Sequence, residues 1–328
     1  MSRRVWTCIR LGGAALTLAV LVWRLGTGPF LDGIRTIDVR TLVAALLLAA
    51  LTTLCCAWRW KIVARGLGID LPLRSAVAAY YRSQFLNVTL PGGVVGDVHR
   101  GVSHGRDVND VGRGLRAVAW ERSAGQFVQA ILTVIVLLAL PSPVRSSMPL
   151  VAIAAVVVVV GLVLVVRARR TGGSSPLARV RRAVAGDIHD GLLARKAWLG
   201  IAIASVLALI GYAATFMIAA RTAGATAGPS RMLPIALLVM LAMVLPSIGG
   251  WGPREGVTAW AFGAAGLGAD LGVATAVVYG VMLLVASLPG AAVLVVAWFH
   301  RARSPERAEA SLPWRVPAGV RPDGAPHA

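Results

Sequence analysis

The chain has 328 residues, of which 57% are hydrophobic and only 14% charged, with a mean hydropathy of +0.74 and a formal net charge of +19. Soluble domains carry roughly 45–50% apolar and about 25% charged residues, so this surplus of apolar surface excludes an ordinary water-soluble fold. A pI near 11.6 would suit nucleic-acid binding in a soluble chain, but here the placement of charge relative to the apolar segments decides its meaning.

In chain order, Ser2-Arg3-Arg4 precedes an apolar run over 8–24. The start resembles a twin-arginine export signal, yet Trp23-Arg24-Leu25 follows without a small-residue cleavage site and more spans come after it, so a signal anchor is expected. Crossing a hydrocarbon layer of roughly 30 Å takes about 20 residues, and further runs of suitable length occupy 41–58, 119–140, 148–166, 198–220 and 271–299. Two other stretches, 76–98 and 233–268, are apolar but broken by proline and glycine. Trp23, Trp58, Trp60, Trp198 and Trp298 lie at the ends of apolar runs, where an interfacial belt is expected. Cys8, Cys55 and Cys56 have no C-x-x-C spacing and are read as small apolar side chains, with neither a disulfide framework nor a zinc site.

Residues 1–10, 59–116, 167–197 and 300–328 hold 25 of the 33 basic residues and a net charge of +16, leaving +3 for the rest of the chain. Placing these segments in the cytoplasm satisfies the positive-inside rule and puts both termini there. The stretch 76–98 then begins and ends inside, and 233–268 begins and ends outside. Both are therefore predicted to be re-entrant hairpins, entering from opposite faces. The basic loop 167–197 is expected to lie on anionic headgroups of the inner leaflet, and the proline-rich tail from 300 to be disordered.

The first broken stretch contains Leu90-Pro91-Gly92-Gly93-Val94-Val95-Gly96-Asp97, the second Leu245-Pro246-Ser247-Ile248-Gly249-Gly250-Trp251-Gly252. Pro91 lies 50 residues after the start of the span at 41, and Pro246 lies 48 after the start at 198. The expected fold is all-α and polytopic: about six full spans plus two broken or re-entrant helical hairpins arranged as an inverted repeat. A single transmembrane domain would cover 1–299, with half-repeats at about 41–140 and 198–299 joined by the span 148–166, and 300–328 as tail. Paired Gly/Pro-interrupted segments at matching positions point to a transporter binding site, because their unpaired backbone must face protein, water or a polar ligand. The alternative is two ordinary proline-kinked helices.

Arg82, Asn87, Asp97, His99 and Arg100 flank the first break, and Arg254 and Glu255 the second. Ionisable groups at membrane depth cost at least roughly 2.5–3.5 kcal/mol each, which makes them functional candidates unless they have already surfaced in a loop. Glu121 and Arg122 sit early in the 119–140 span and diverge by about 100°, so each is expected to find a partner elsewhere, either in a structural ion pair such as Glu121 with Arg100 or in a substrate contact. Arg254 and Glu255 are likewise expected to turn to different partners. Hairpin helices starting just after Gly96 or Gly252 would present free N–H groups which, with Arg82, Arg100 and Arg254 nearby, favour an anion such as a lipid phosphate. Asp107-Val108-Asn109-Asp110 is expected to be a solvated loop, His99 and His104 lack a third ligand, and neither G-x-x-x-x-G-K-[ST] nor G-x-S-x-G occurs. No metal and no cofactor are expected.

Together with Arg59-Trp60, the run Tyr80-Tyr81-Arg82, Phe85-Leu86-Asn87, Leu90-Pro91-Gly92-Gly93, Gly96-Asp97, His99-Arg100 and Glu121-Arg122, followed by Pro246 through Gly256, resembles the lysylphosphatidylglycerol synthase transmembrane region, also called the flippase-like domain family. The resemblance covers about residues 8–300. It implies an integral membrane domain that, in the lysyl-lipid synthases, is associated with moving the aminoacylated phospholipid to the outer leaflet. Those synthases carry a soluble aminoacyl-transferase domain where this chain has a short tail, so synthase activity is expected to be absent and a lysyl-lipid substrate is not implied.

The expected function is a flippase-like transporter of the bacterial cytoplasmic membrane, moving an anionic lipid or lipid-linked intermediate between leaflets. Arg82, Asn87, Asp97, Arg100, Glu121, Arg122, Arg254 and Glu255 are the candidate substrate-binding residues, and Pro91, Gly92, Gly93, Gly96, Pro246, Gly249, Gly250 and Gly252 shape the hairpin backbone. Membrane lipids are the expected partners, with a separately encoded lipid-modifying enzyme as a further candidate and nucleic acid excluded. The alternative is a membrane-embedded enzyme or enzyme subunit acting on a lipid-linked sugar or phosphate through Asp97, His99 and Glu121. The predicted topology has a direct check: single cysteines at Ser142 and Ser230 label from outside and one at Ser174 does not, whereas the reverse pattern overturns the re-entrant scheme.

Overall fold

The computed structural model describes residue 23 and residues 27–90, 93–141, 195–244 and 251–302. Most of the first predicted span, the span 148–166, the basic loop up to 194 and the tail from 303 lie outside them, as do Pro91, Gly92, Pro246, Gly249 and Gly250.

The described residues are helical. Helix α1 (Gly28–Arg35) leads to α2 (Val39–Gly66), whose first turn is closed by the Asp38 carboxylate accepting the Thr41 N–H at 2.8 Å. Helix α3 (Leu73–Thr89) stops at Leu90, which is extended at φ −98°, ψ 147°, as the residue before a proline prefers. Gly93 then turns the chain at φ 67° into α4 (Val95–Asp107), so α4 opens one residue before Gly96 and not after it. The tight turn at Val108–Asp110 hands over to α5 (Val111–Ala139), with Asp110 accepting the Arg113 N–H at 2.8 Å. Of the stretch expected to be a solvated loop, Asp107 ends α4 and only Val108–Asp110 form the turn.

After α6 (Arg195–Thr222) comes α7 (Pro229–Ala242), which opens on a proline that needs no helical donor at that position. Gly252 sits at φ 110°, a conformation that side chains resist, and launches α8 (Pro253–Ala264), as expected. Helix α9 (Ala269–Ala302) completes the described chain. Both broken stretches are thus real interruptions between two helices.

Among the described residues, four segments are long and apolar enough to cross a membrane: Val39–Gly66, Val111–Ala139, Ala197–Thr222 and Ala269–Phe299. They contain the predicted spans at 41–58, 198–220 and 271–299 and all but the last residue of 119–140, and two of them are much longer than the apolar runs suggested. Helix α2 continues to Gly66, which places Arg59 inside a helix and corrects its assignment to a cytoplasmic loop. Helix α5 begins at Val111, so Glu121 lies well inside it. Leu47, Ile135, Ile210 and Val296 remain exposed on the long helices, as lipid-facing side chains would be.

The helices pack α2 on α6, α3 on α9, α4 on α5 and α8 on α9. Small residues set the closest approaches. A β-carbon on Gly114 of α5 would lie 2.5 Å from the Gly101 carbonyl oxygen and 2.6 Å from Gly105 Cα of α4, and one on Gly290 of α9 would strike the Tyr81 backbone of α3. Tyr279, Phe216, Phe262 and Met282 fill the main apolar core, which joins α6, α7, α8 and α9.

Because backbone cannot move aside as a flexible side chain can, Gly114→Ala should cost about 1–3 kcal/mol through overpacking. Thermal unfolding in detergent is expected to shift down by several degrees for Gly114→Ala and to stay unchanged for Gly28→Ala, whose added β-carbon meets nothing within 4 Å. An unchanged midpoint for Gly114→Ala would refute the close α4–α5 contact.

Candidate functional site

Five ionised side chains from three helices, Arg59 of α2, Asp97 and Arg100 of α4 and Glu121 and Arg122 of α5, meet where α3 gives way to α4. Glu121 of α5 is fully buried, and its Oε1 accepts from Arg59 Nε at 2.8 Å, Arg59 Nη2 at 2.5 Å and Tyr80 OH at 2.8 Å. Its Oε2 accepts from Arg100 Nη2 at 3.0 Å. The ion pair of Glu121 with Arg100 is present, and Arg59 and Tyr80 join it. Arg59 also reaches Ser205 Oγ of α6 at 3.1 Å. A β-carbon on Gly125 would lie 2.5 Å from Arg59 Nη1, so the guanidinium fits only because that residue is glycine.

Asp97, one turn before Arg100 on α4, holds the second node. Its Oδ1 accepts from Ser83 Oγ at 3.0 Å and Arg100 Nη2 at 3.1 Å, while Oδ2 accepts from Asn87 Nδ2 at 2.9 Å and pairs with Arg122. Asn87 turns its other end to the Gly96 N–H, which donates to Asn87 Oδ1 at 2.7 Å. The α4 amide predicted to be free for a ligand is therefore used within the chain, and Asn87 ties the end of α3 to the start of α4. Both Asp97 and Arg100 are buried, so they have not surfaced in a loop.

Arg100 is also enclosed by aromatic rings, its guanidinium carbon lying 4.5 Å from the Trp60 centroid and 4.0 Å from the Tyr80 centroid. Trp60 is only 1% exposed, which removes it from the predicted interfacial belt; Trp198 and Trp298 are exposed, as that belt requires. The cluster counts three arginines (Arg59, Arg100, Arg122) against two acids (Asp97, Glu121), an excess of one positive charge. Its most accessible cation is Arg122, whose side chain is 44% exposed.

The second break carries a smaller cluster. Arg254 donates to Glu255 Oε1 from Nε at 2.8 Å and from Nη2 at 2.5 Å, while Glu255 Oε2 accepts the Gly252 N–H at 2.7 Å. The two residues pair with each other, contrary to expectation, because the long guanidinium folds back along the first turn of α8. The Gly252 amide is likewise not free for a ligand. Arg254 packs 5.1 Å from the Trp251 centroid and 6.0 Å from that of Tyr279, against Gly280, where a β-carbon would collide with the guanidinium.

Arg82 and His99 line a cleft of about 420 Å³ together with Leu294, Val295, Ala297 and Trp298 of α9. Sequence reasoning missed Ser83, Ser205 and Tyr279, and noticed Arg59, Trp60, Tyr80 and Trp251 in the family motifs without giving them a place in the site. One signal was available for Arg59: Ile62-Val63-Ala64 resumes the apolar pattern beyond it, as expected of a charge inside a helix and not after one. Among the described residues, no three His, Cys, Asp or Glu side chains are grouped to hold a metal ion.

Removing one partner of a buried ion pair typically costs about 3–5 kcal/mol, since the other charge stays behind. Glu121→Gln should therefore destabilise the protein strongly in detergent unfolding, and Arg59→Gln less, because Arg100 still neutralises the carboxylate. The double variant should recover about 1–3 kcal/mol relative to the sum of the two. Strict additivity would show that the pair makes no energetic contact.

The family model described as the lysylphosphatidylglycerol synthase TM region matches residues 8–290. No curated protein matches the chain. The match runs through both polar clusters and all the helices that arrange them, apart from the end of α9. With its apolar helices of spanning length, the chain belongs to the lysylphosphatidylglycerol synthase transmembrane-region family of helical membrane proteins.

Proposed function

We propose that this protein moves an anionic lipid or lipid-linked intermediate between the leaflets of a bacterial cytoplasmic membrane. The observation that carries this reading is the buried cluster at the α3–α4 break, which holds one more cation than anion and leaves Arg122 accessible. An uncompensated charge in a low-dielectric setting is expensive, and a phosphate supplied by a ligand would relieve it. Every carboxylate oxygen of Asp97, Glu121 and Glu255 already accepts at least one hydrogen bond. That engagement suits neutralising arginines better than abstracting a proton, and favours transport over the enzymatic alternative.

An inverted repeat of two span–hairpin–span units, with hairpins opening on opposite faces, supplies the route. Its support is the matching succession of helices: α2, α3, α4 and α5 run for 28, 17, 13 and 29 residues, and α6, α7, α8 and α9 for 28, 14, 12 and 34. In each half an arginine close to the break lies against a tryptophan and a tyrosine, Arg100 on Trp60 and Tyr80, Arg254 on Trp251 and Tyr279. A separately encoded lipid-modifying enzyme would supply or consume the transported lipid.

The test is leaflet exchange in proteoliposomes containing acyl-labelled phosphatidylglycerol or phosphatidylcholine, read by the fraction of label accessible to a membrane-impermeant quencher. Exchange of the anionic lipid should exceed that of the zwitterionic one, and Arg122→Gln should slow it about tenfold, the equivalent of roughly 1.4 kcal/mol. Folded protein that exchanges no native lipid would overturn the proposal.

A further inference from the structure

His104 of α4 is only 7% exposed, and its Nε2 is buried with no hydrogen-bond partner among the described residues. Its ring stands edge-on to Trp60 of α2, 5.2 Å between centroids, and the same indole carries the Arg100 guanidinium 4.5 Å from its centroid. Trp60 Nε1 and the Nε and Nη1 of Arg100 are likewise buried with no partner. Unsatisfied polar atoms thus gather on three side chains that meet at one indole ring. Buried polar atoms are normally paired, and each one left unpaired costs the closed arrangement free energy that contact with water would return.

Among the described residues, the acids near this ring are either engaged or exposed. From α2 comes Trp60, which does not titrate, and against it on α3 stands Tyr80, whose hydroxyl donates to Glu121. On α5, Glu121 is taken by Arg59 and Arg100, Arg122 pairs with Asp97, and Asp110 of the preceding turn pairs with Arg113. On α4 itself, Arg100 lies four residues before His104, and Asp107 lies three residues after it at the exposed end of the helix. Burial pushes the His104 imidazole below its ordinary pKa, Asp107 pulls the other way, and Arg100 adds to the depression. A neutral ring suits this position. An imidazolium would set a second cation on the indole that already holds Arg100, beside a cluster with an excess of positive charge.

We propose that His104 is a proton-operated latch: neutral, it closes α4 onto Trp60 of α2, and protonated, it swings out to Asp107 and lets α4 come away from that ring. The second position is built into the helix. Asp107 is exposed and stands at the spacing at which helical side chains pair, and a cation in the last turn of α4 is favoured by the carbonyl end of the helix dipole. Arg106, Asp107, Val108 and Asn109 are all exposed, so protons reach the latch from the water around the α4–α5 turn. Withdrawal of the imidazole uncovers Trp60 Nε1 and the spare donors of Arg100, and their hydration offsets the packing that is lost. The closed state binds fewer protons than the open one. It is therefore held above the ordinary imidazole pKa of about 6.5 and gives way as the pH falls below that value. The latch stands on this geometry and is independent of the transport reading.

The experiment is hydrogen–deuterium exchange of the full chain in detergent micelles at about pH 7.5 and about pH 5, on either side of the ordinary imidazole pKa, with each rate corrected for the pH dependence of intrinsic amide exchange. The amides of α4 should lose about tenfold protection at the lower pH while those of α6 keep theirs. His104→Phe, which leaves a ring on Trp60 but takes up no proton, should hold α4 closed at both pH values. Asp107→Asn, a change at an exposed position, should require a lower pH for the same loss, so the outcome does not rest on how well His104→Phe folds. Equal protection of α4 at the two pH values in the unaltered protein would overturn the latch. So would an acid-induced loss that persists in His104→Phe, or one that Asp107→Asn leaves unmoved. The readout needs no leaflet exchange, so failure of transport and failure of the latch are told apart.

Discussion

Glu121 is the point on which the first half of the molecule depends. It brings a negative charge into a fully buried position on α5, and the free-energy cost of doing so is several kcal/mol unless partners sit within hydrogen-bond reach. Those partners come from three other helices: Arg59 from α2, Tyr80 from α3 and Arg100 from α4. Ser205 on α6 joins through Arg59. Each helix is therefore fixed in depth and rotation by one carboxylate, since a turn of any helix would leave a charge without its counter-ion. Apolar packing alone gives helices in hydrocarbon little preference for one register, because lipid tails are as apolar as leucine.

That arrangement demands space. A guanidinium is bulky, and two of the buried ones lie where a neighbouring helix carries a glycine: Arg59 beside Gly125 and Arg254 beside Gly280. Gly101, Gly105 and Gly114 meanwhile bring α4 against α5 closely enough for Arg100 and Asp97 to reach Glu121 and Arg122. These five glycines thus have a definite role on helix faces, apart from the turns at Gly93 and Gly252. They let charged side chains be enclosed without forcing the helices apart.

What was legible in the sequence follows from the range of each interaction. Apolar length predicted the four described spans, and the two Leu-Pro and glycine runs, Leu90 to Gly96 and Leu245 to Gly252, predicted the two breaks, because both signals are local. For Glu121 the sequence left a pair with Arg100 and a substrate contact side by side, and the structure shows the pair. Arg59 and Trp60 were misplaced because the apolar run was ended at the first charge, although a buried ion pair 62 residues away makes that charge admissible inside the helix. Arg254 and Glu255 failed the opposite way: the adjacent-residue rule holds for side chains in mid-helix, whereas Arg254 is at the first turn and Glu255 reaches back to cap Gly252. The cleft beside Arg82 and His99 combines α3, α4 and the end of α9, roughly 200 residues apart in sequence, a distance no spacing argument covers.

The two halves differ in charge balance, and the difference bears on how an anion could be moved. At the first break three arginines face two acids; at the second, Arg254 is matched one-to-one by Glu255. If both breaks carried uncompensated cations, an anionic headgroup would be held twice and released slowly, since conduction requires a site weak enough to leave. In the proposed transport, an excess at one break and a neutral pair at the other would attract the phosphate at the first and let it depart from the second. Movement of Arg122 alone could shift that balance, because it is the accessible member of the first cluster and shares Asp97 with Arg100. When a phosphate takes Arg122, Asp97 keeps Ser83, Asn87 and Arg100 as donors, so the exchange leaves no buried carboxylate unpaired. The cluster can therefore give up one cation to a ligand and keep the helices in register, because the contacts of Glu121 that fix them are untouched.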